Sequence, residues 1–256
     1  MGQSALKLKA EDAATLIRNS HSEKTVLVGG QAVAFWAAYY GIGSELPILT
    51  NDIDYLGTAT DARRASTALP FRNKLRLATL SDATPNTALI AVEIEGYDEP
   101  ILIDYLAQII GLDSRQIQRS AVLVDFQGAR LQVIHPVLLL QSKISNLYQL
   151  KQKRTREGRE QARLAIVVVS SFLSETIASG AAVRDVLKLV EVIGKFAATA
   201  AAIDAQVQSG LDCLSAIPAR IFEDRSLPPD FYAKRWPQIR KMVNIGVDRR
   251  QSRTEK

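Results

Sequence analysis

Apolar and polar positions follow the period of strands through much of the first half of the chain and the period of helices through the second. Residues 25–28 (Thr-Val-Leu-Val) form a short β-branched and apolar run that stops at Gly29-Gly30. Residues 31–40 then carry apolar and aromatic side chains without a breaker. The pattern predicts a strand, a glycine turn and a buried helix. Residues 52–56 (Asp-Ile-Asp-Tyr-Leu) predict a second strand, and residues 100–106 (Pro-Ile-Leu-Ile-Asp-Tyr-Leu) a third that sets one acidic residue, Asp104, between apolar neighbours. Around them, helices are expected at 10–19 and 61–69, weaker strands near 75–79 and 88–95, a hairpin loop at 96–100, and a further hairpin over 121–125 and 130–134.

From Pro136 the period changes. Val137, Leu140, Ile144 and Leu147 fall at helical spacing, with Lys143 at the edge of their face. A second helix is expected over 157–176. Val183, Val186, Leu187, Val190, Ile193, Ala197 and Ala201 mark a third, and shorter helices follow at 204–216 and 229–245. The fold class predicted is α/β (α+β): a mixed sheet flanked by helices over 1–135, then a helical bundle over 136–256, divided at His135-Pro136.

Strand alternation sends Asp52 and Asp54 to one face with Ile53 behind them. Two carboxylates so placed repel, which costs folding free energy unless a cation or hydrogen bonds neutralise them, and a hard divalent ion suits oxygen donors. If the Asp104 strand lies alongside, three carboxylates converge, as a two-metal phosphoryl-transfer centre requires. Glu93 and Glu95, which share a strand face, are the other candidates for the third ligand. Gly29-Gly30 can adopt positive φ and admit a ligand close to the backbone, and the start of a helix favours an anion such as phosphate.

Taken in order, the glycine pair closing a strand, the helix, the Asp-x-Asp strand and the later Asp104 resemble the nucleotidyltransferase superfamily typified by DNA polymerase beta and kanamycin nucleotidyltransferase. Within it, the likeness is to the bacterial branch that includes the AbiEii-type toxins. The resemblance covers residues 25–163. It implies a nucleoside triphosphate substrate and a Mg²⁺ or Mn²⁺ cofactor. Gly29, Gly30 and Gln31 would lie at the triphosphate, Asp52, Asp54 and Asp104 would act as catalytic metal ligands, and Lys143 would neutralise phosphate charge. It also implies a toxin–antitoxin or phage-defence role with an antitoxin partner. Two departures stand out. The interval from Gln31 to Asn51 is longer than the family's, with a loop at 41–50 that holds a competing pair, Gly43-Ser44. Gln161-Ala162-Arg163 stands where that branch tends to have a Lys-Asp pair.

With 256 residues, 47% hydrophobic and 23% charged, the chain can bury one sizeable core or two modest ones, and such a composition marks a soluble globular protein. A single cysteine, Cys213, allows no intrachain disulfide, the first residues lack the apolar core of a signal peptide, and no uninterrupted apolar run approaches the ~18 residues of a membrane span. A cytoplasmic location without membrane contact is expected. The net charge of +5 is unevenly spread: residues 1–135 carry 12 Lys/Arg against 15 Asp/Glu, residues 136–256 carry 20 against 12. Residues 151–163 hold six basic side chains and two acidic ones, which suits an RNA acceptor such as tRNA, or else a solvated helix face. His21 and His135 lack metal-ligand spacing, Cys213 has no nearby partner, and Trp36 and Trp236 are expected in the core. The function expected is metal-dependent transfer of a nucleoside monophosphate from a triphosphate to a hydroxyl on RNA, protein or a small molecule. The alternative is a non-catalytic nucleotide-fold protein that binds nucleic acid or a partner protein.

Overall fold

Strand-forming residues in the first half assemble into one mixed sheet. In chain order the elements are α1 (Ala10–Ser20), β1 (Val26–Val28), α2 (Gly29–Tyr39), β2 (Ile53–Leu56), α3 (Ala59–Ala68), β3 (Asn73–Leu77), β4 (Asn86–Val92), β5 (Ile101–Leu106), α4 (Ser114–Ser120), β6 (Val122–Phe126) and β7 (Ala129–Val133). The computed structural model describes residues 8–42, 52–79, 81–82, 84–126, 128–224 and 227–254. Among these the sheet has seven strands in the order β3-β4-β5-β2-β1-β7-β6, the α/β arrangement predicted. Most of the loop expected at 41–50, with its Gly43-Ser44 pair, lies outside the described residues. The chain divides into two compact units, Met1–Leu139 and Leu140–Lys256.

The centre of the sheet is the parallel pair β2 and β5, in register Ile53↔Ile103, Asp54↔Asp104 and Tyr55↔Tyr105. Ile53, Tyr55, Ile103 and Tyr105 are fully buried on one face. The two phenol rings stack with centroids 5.5 Å apart. Neither hydroxyl is wasted: Tyr105 donates to the Ser20 carbonyl at 2.6 Å, and Tyr55 Oη lies 3.0 Å from Ser20 Oγ, which ties α1 to the sheet. Burial pushes both phenols well above the ordinary tyrosine range. Helix α3 packs beside α1 and against β3, β4 and β5. Its expected start at Asp61 moves back to Ala59 because Thr58 and Asp61 form a reciprocal capping box. Burial alone would raise the Asp61 carboxyl, but hydrogen bonds from Thr58 and Ser22, with Arg64 nearby, hold it below the usual range.

Helix α2 packs on β1 and β2. Trp36 is 1% exposed and donates its indole N–H to the Ile134 carbonyl at 2.9 Å. The glycine pair is no separate turn: Gly29, at φ +67°, is itself the first residue of the helix, so strand passes into helix with no loop between. Only glycine adopts that conformation cheaply.

In the second unit the helices are α5 (Pro136–Gln149), which contains the division, α6 (Arg156–Ala178), α7 (Val183–Ala197), α8 (Ala200–Ser209), the short α9 (Arg220–Glu223) and α10 (Trp236–Thr254). The helix expected over 183–201 ends at Ala197, and a new one begins where the Thr199 side chain accepts from the Ala202 amide. Helix α8 lies along α10, fixed by the Arg250–Asp204 ion pair and by Gly246, where a Cβ would come 2.2 Å from Ile203 Cδ1. Helix α6 reaches a mean hydropathy of 1.3 over 18 residues, long and apolar enough by composition to cross a membrane. Ser170, Ser171 and Ser174 interrupt it, which is why no continuous apolar run is visible in the sequence, and Leu164, Ala165, Val168, Val169 and Leu173 are buried within the protein.

Candidate functional site

The face of the sheet opposite the tyrosines carries the candidate residues Asp54 and Asp104. Because paired residues on adjacent strands project to the same side, the register draws one row across four strands: Leu89↔Asp104, Asp104↔Asp54 and Asp54↔Val28. Asp54 and Asp104 are therefore immediate neighbours on strands roughly 4.8 Å apart, and both are half-buried. Two unit charges 4 Å apart repel by about 1 kcal/mol in bulk water and about 4 kcal/mol at an effective dielectric of 20. A hydrophobic pair in those positions would carry no such cost.

Two features hold the carboxylates in place. Gly29 is pressed against Asp54, and a Cβ built on it would fall 1.8 Å from Asp54 Oδ2, so any side chain there would collide with the carboxylate. On the other side, Asn86 donates its side-chain N–H to Asp104 Oδ1. That contact depends on an irregularity. The β4–β5 register runs Leu89↔Asp104 and Ala88↔Tyr105, then skips Thr87 and pairs Asn86 with Leu106. In a regular ladder Thr87 would oppose Leu106 and Asn86 would point to the tyrosine face; one bulged residue returns it to the aspartate face, a use common beside functional sites. Asn86 is absent from the candidates drawn from sequence. The only local signal is Pro85, a residue tolerated at a strand start, just before it.

The other predicted residues are placed as follows. Asp52 immediately precedes β2, which begins at Ile53, and is half-buried. Gly30 and Gln31 lie in the first turn of α2, where Gln31 is buried. Glu93, the alternative third ligand, follows β4 and pairs with Arg72 at 3.4 Å, and Glu95 lies beyond it in the loop before β5. Lys143 belongs to the second unit, is 6% exposed, and donates to Gln161 Oε1 at 2.8 Å. Among the described residues no group of three or more His, Cys, Asp or Glu side chains is arranged to hold a metal ion. The donors that the strand register brings together are Asp54 and Asp104, with the Asn86 amide on Asp104. Such a set fits Mg²⁺ or Mn²⁺, since Mg²⁺ is typically held by one or two carboxylates with substrate phosphates and water completing the shell.

In the basic stretch of residues 151–163, Arg154 donates from Nε and Nη2 to the Leu147 and Tyr148 carbonyls at 2.9 and 2.8 Å, closing the end of α5. Arg163 forks onto Glu160. All six cations are exposed, and Arg154, Arg163 and Arg159, whose Nη1 donates to the Arg154 carbonyl at 3.2 Å, also serve local structure. His135 accepts from the Val137 amide at Nδ1, and burial pushes its pKa down to about 4. Burial, with Asp212 adding to it, raises the Cys213 thiol to about 12, so it is inert at neutral pH.

No protein-family model matches the chain, and no curated protein does. Two solved structures from Helicobacter pylori are similar at low level. One is a candidate nucleotidyltransferase, 12% identical, with 96% of this chain and 98% of that chain covered at a TM-score of 0.39. The other is JHP933, also 12% identical, with 95% and 92% covered at a TM-score of 0.37. Likeness of that degree bears no functional weight, and the case for an activity stands on the residues of the site itself.

Proposed function

We propose that the first unit binds a nucleoside triphosphate across Gly29-Gly30 and the Asp54–Asp104 pair and transfers its nucleotidyl group to an acceptor hydroxyl. The observation that carries this is the in-register pairing of Asp54 and Asp104 with the bare backbone of Gly29 set against Asp54. Neighbouring carboxylates repel, and a cationic ligand would relieve that repulsion, which supports the reading. Mg²⁺ or Mn²⁺, held by Asp54 and Asp104, would supply positive charge that stabilises the phosphate oxygens during displacement. The N–H groups of Gly29 and Gly30, at the start of α2, have no intrahelical acceptors and suit phosphate oxygens. Asn86 fixes the orientation of Asp104. In the transfer, the acceptor oxygen bonds to the α-phosphorus, the bond from that phosphorus to the bridging oxygen breaks, pyrophosphate leaves, and the hydroxyl proton passes to water.

Asp54→Asn tests this, because it removes charge at constant shape. Titration of a fluorescent nucleoside triphosphate in Mn²⁺ should show affinity weakened by about tenfold or more, the ~1.4 kcal/mol that one charged contact commonly supplies, with the circular dichroism spectrum unchanged. Equal affinity in the variant and the parent would refute the site.

A further inference from the structure

The aspartate row continues past β4 to the edge of the sheet. Arg76 pairs with Leu89, which pairs with Asp104, so Arg76 shares the face of the carboxylates. Lys74, paired with Ala91, lies on that face too. Two strand spacings separate Arg76 from Asp104, roughly 10 Å. Between them the floor is apolar and half-exposed, made by Leu89, Ala91 and Leu102. A cavity of about 300 Å³ opens there, lined by Arg76, Thr84, Asn86 and Leu89 among others. The Arg76 side chain is 75% exposed, and its contact with Asp82 is long, 3.7 Å. Only its Nη2 approaches Asp82 Oδ1, while Thr79 holds Asp82 Oδ2, so Arg76 keeps most of its five N–H donors for a ligand.

Direction across the sheet identifies that ligand. Gly29-Gly30 follows β1, on one side of the carboxylates, and the Arg76 face lies on the other, over β4 and β3. Displacement at phosphorus sets the attacking and leaving oxygens roughly in line, on opposite sides of the transferred group. With pyrophosphate leaving toward Gly29-Gly30, the acceptor must approach over β4. We infer that the open face of β3 and β4 is the acceptor site and that Arg76 grips a phosphate of the acceptor, whose attacking hydroxyl points to Asp104. This inference rests on the nucleotidyl-transfer reading. A phosphate there explains why a cation ends the row: its guanidinium matches phosphate in a forked geometry, and the apolar floor offers a surface for the sugar or base between phosphate and hydroxyl.

Arg76→Glu reverses the charge at an exposed position, and Leu89→Trp fills the cavity. The probes are a short single-stranded RNA with a free 3′-hydroxyl, a nucleoside 5′-monophosphate, and a fluorescent nucleoside triphosphate in Mn²⁺. In both variants RNA affinity should fall at least about tenfold, and in Arg76→Glu the log–log salt slope should flatten by ~0.7 for the lost contact, while triphosphate affinity stays within about twofold. Loss for RNA alone assigns the site to a nucleic-acid end, and loss for the monophosphate as well assigns it to phosphate-bearing acceptors in general. Unchanged RNA affinity, or triphosphate binding weakened equally, would overturn the acceptor site. Because Asp54→Asn tests triphosphate binding separately, a failure confined to the Arg76 and Leu89 variants leaves the transfer reading standing, and a failure of Asp54→Asn removes it first.

Discussion

Tyr55 and Tyr105 on one face of the central strands, and Asp54 and Asp104 on the other, are neighbouring rungs of the same ladder with opposite energetics. The tyrosines are buried, stacked and hydrogen-bonded to α1; the aspartates are half-exposed, alike in charge and set against a bare backbone. One backbone step separates a pair that stabilises the fold from a pair that weakens it. The first pair makes the second tolerable: strands pinned on their buried side hold two like-charged groups in register on the other.

The comparison breaks most severely at Tyr105. Tyr105→Ala should cost about 3–5 kcal/mol in urea denaturation, and Tyr105→Phe about 1–3 kcal/mol, since the buried Ser20 carbonyl loses its donor. Alkali separates the two faces as well. The folded-state pKa of each buried phenol is raised, so the stability they contribute is complete below the unfolded value of ~10 and is lost as pH climbs above it. The alkaline unfolding midpoint should therefore move up in Tyr105→Phe relative to its neutral-pH stability. Gly29→Ala comes next, at about 2–3 kcal/mol, because the methyl would enter the space of Asp54 Oδ2 at an unfavourable φ. Triphosphate titration of a still-folded Gly29→Ala should show binding lost. The smallest effect has the opposite sign. Asp54→Asn should stabilise the metal-free fold by about 1 kcal/mol of relieved repulsion, read as a higher melting temperature, and Mn²⁺, which should stabilise the parent, should leave the variant's melt unmoved.

Much of this arrangement is legible in the chain. Glycine conformational freedom, the helix after it, and the period-2 setting of Asp54 and Asp104 among apolar residues are local properties, and local patterns reveal them. The pairing of Asp54 with Asp104 is not local, because two strands 50 positions apart carry no mark of their register. Asp52 and Asp54 have the same local credentials, and nothing in the residues marks that the strand begins between them, at Ile53. Helix α4 escapes notice since its seven residues bury only Ile117. The break before Thr199 is masked by alanines that continue an apolar pattern on both sides. Asn86 is the largest omission: an amide before a strand resembles any turn residue until the skipped position after it is known.

That skipped position gives Thr87 a meaning apart from its own chemistry. It stands outside the one-to-one ladder, though its hydroxyl donates to the Gly57 and Tyr105 carbonyls at 3.2 and 3.0 Å. Loss of Thr87 would remove the bulge and leave Asn86 beside Ala88, still opposite Leu106 and on the aspartate face. Straightening the bulge with Thr87 retained would do the opposite: residues 88–92 would keep their partners while Asn86 turned to the tyrosine face, leaving Asp104 without its amide although every charged residue of the site was untouched. In this strand it is the irregular pairing, and not residue type, that decides which face Asn86 takes and how the second carboxylate is held.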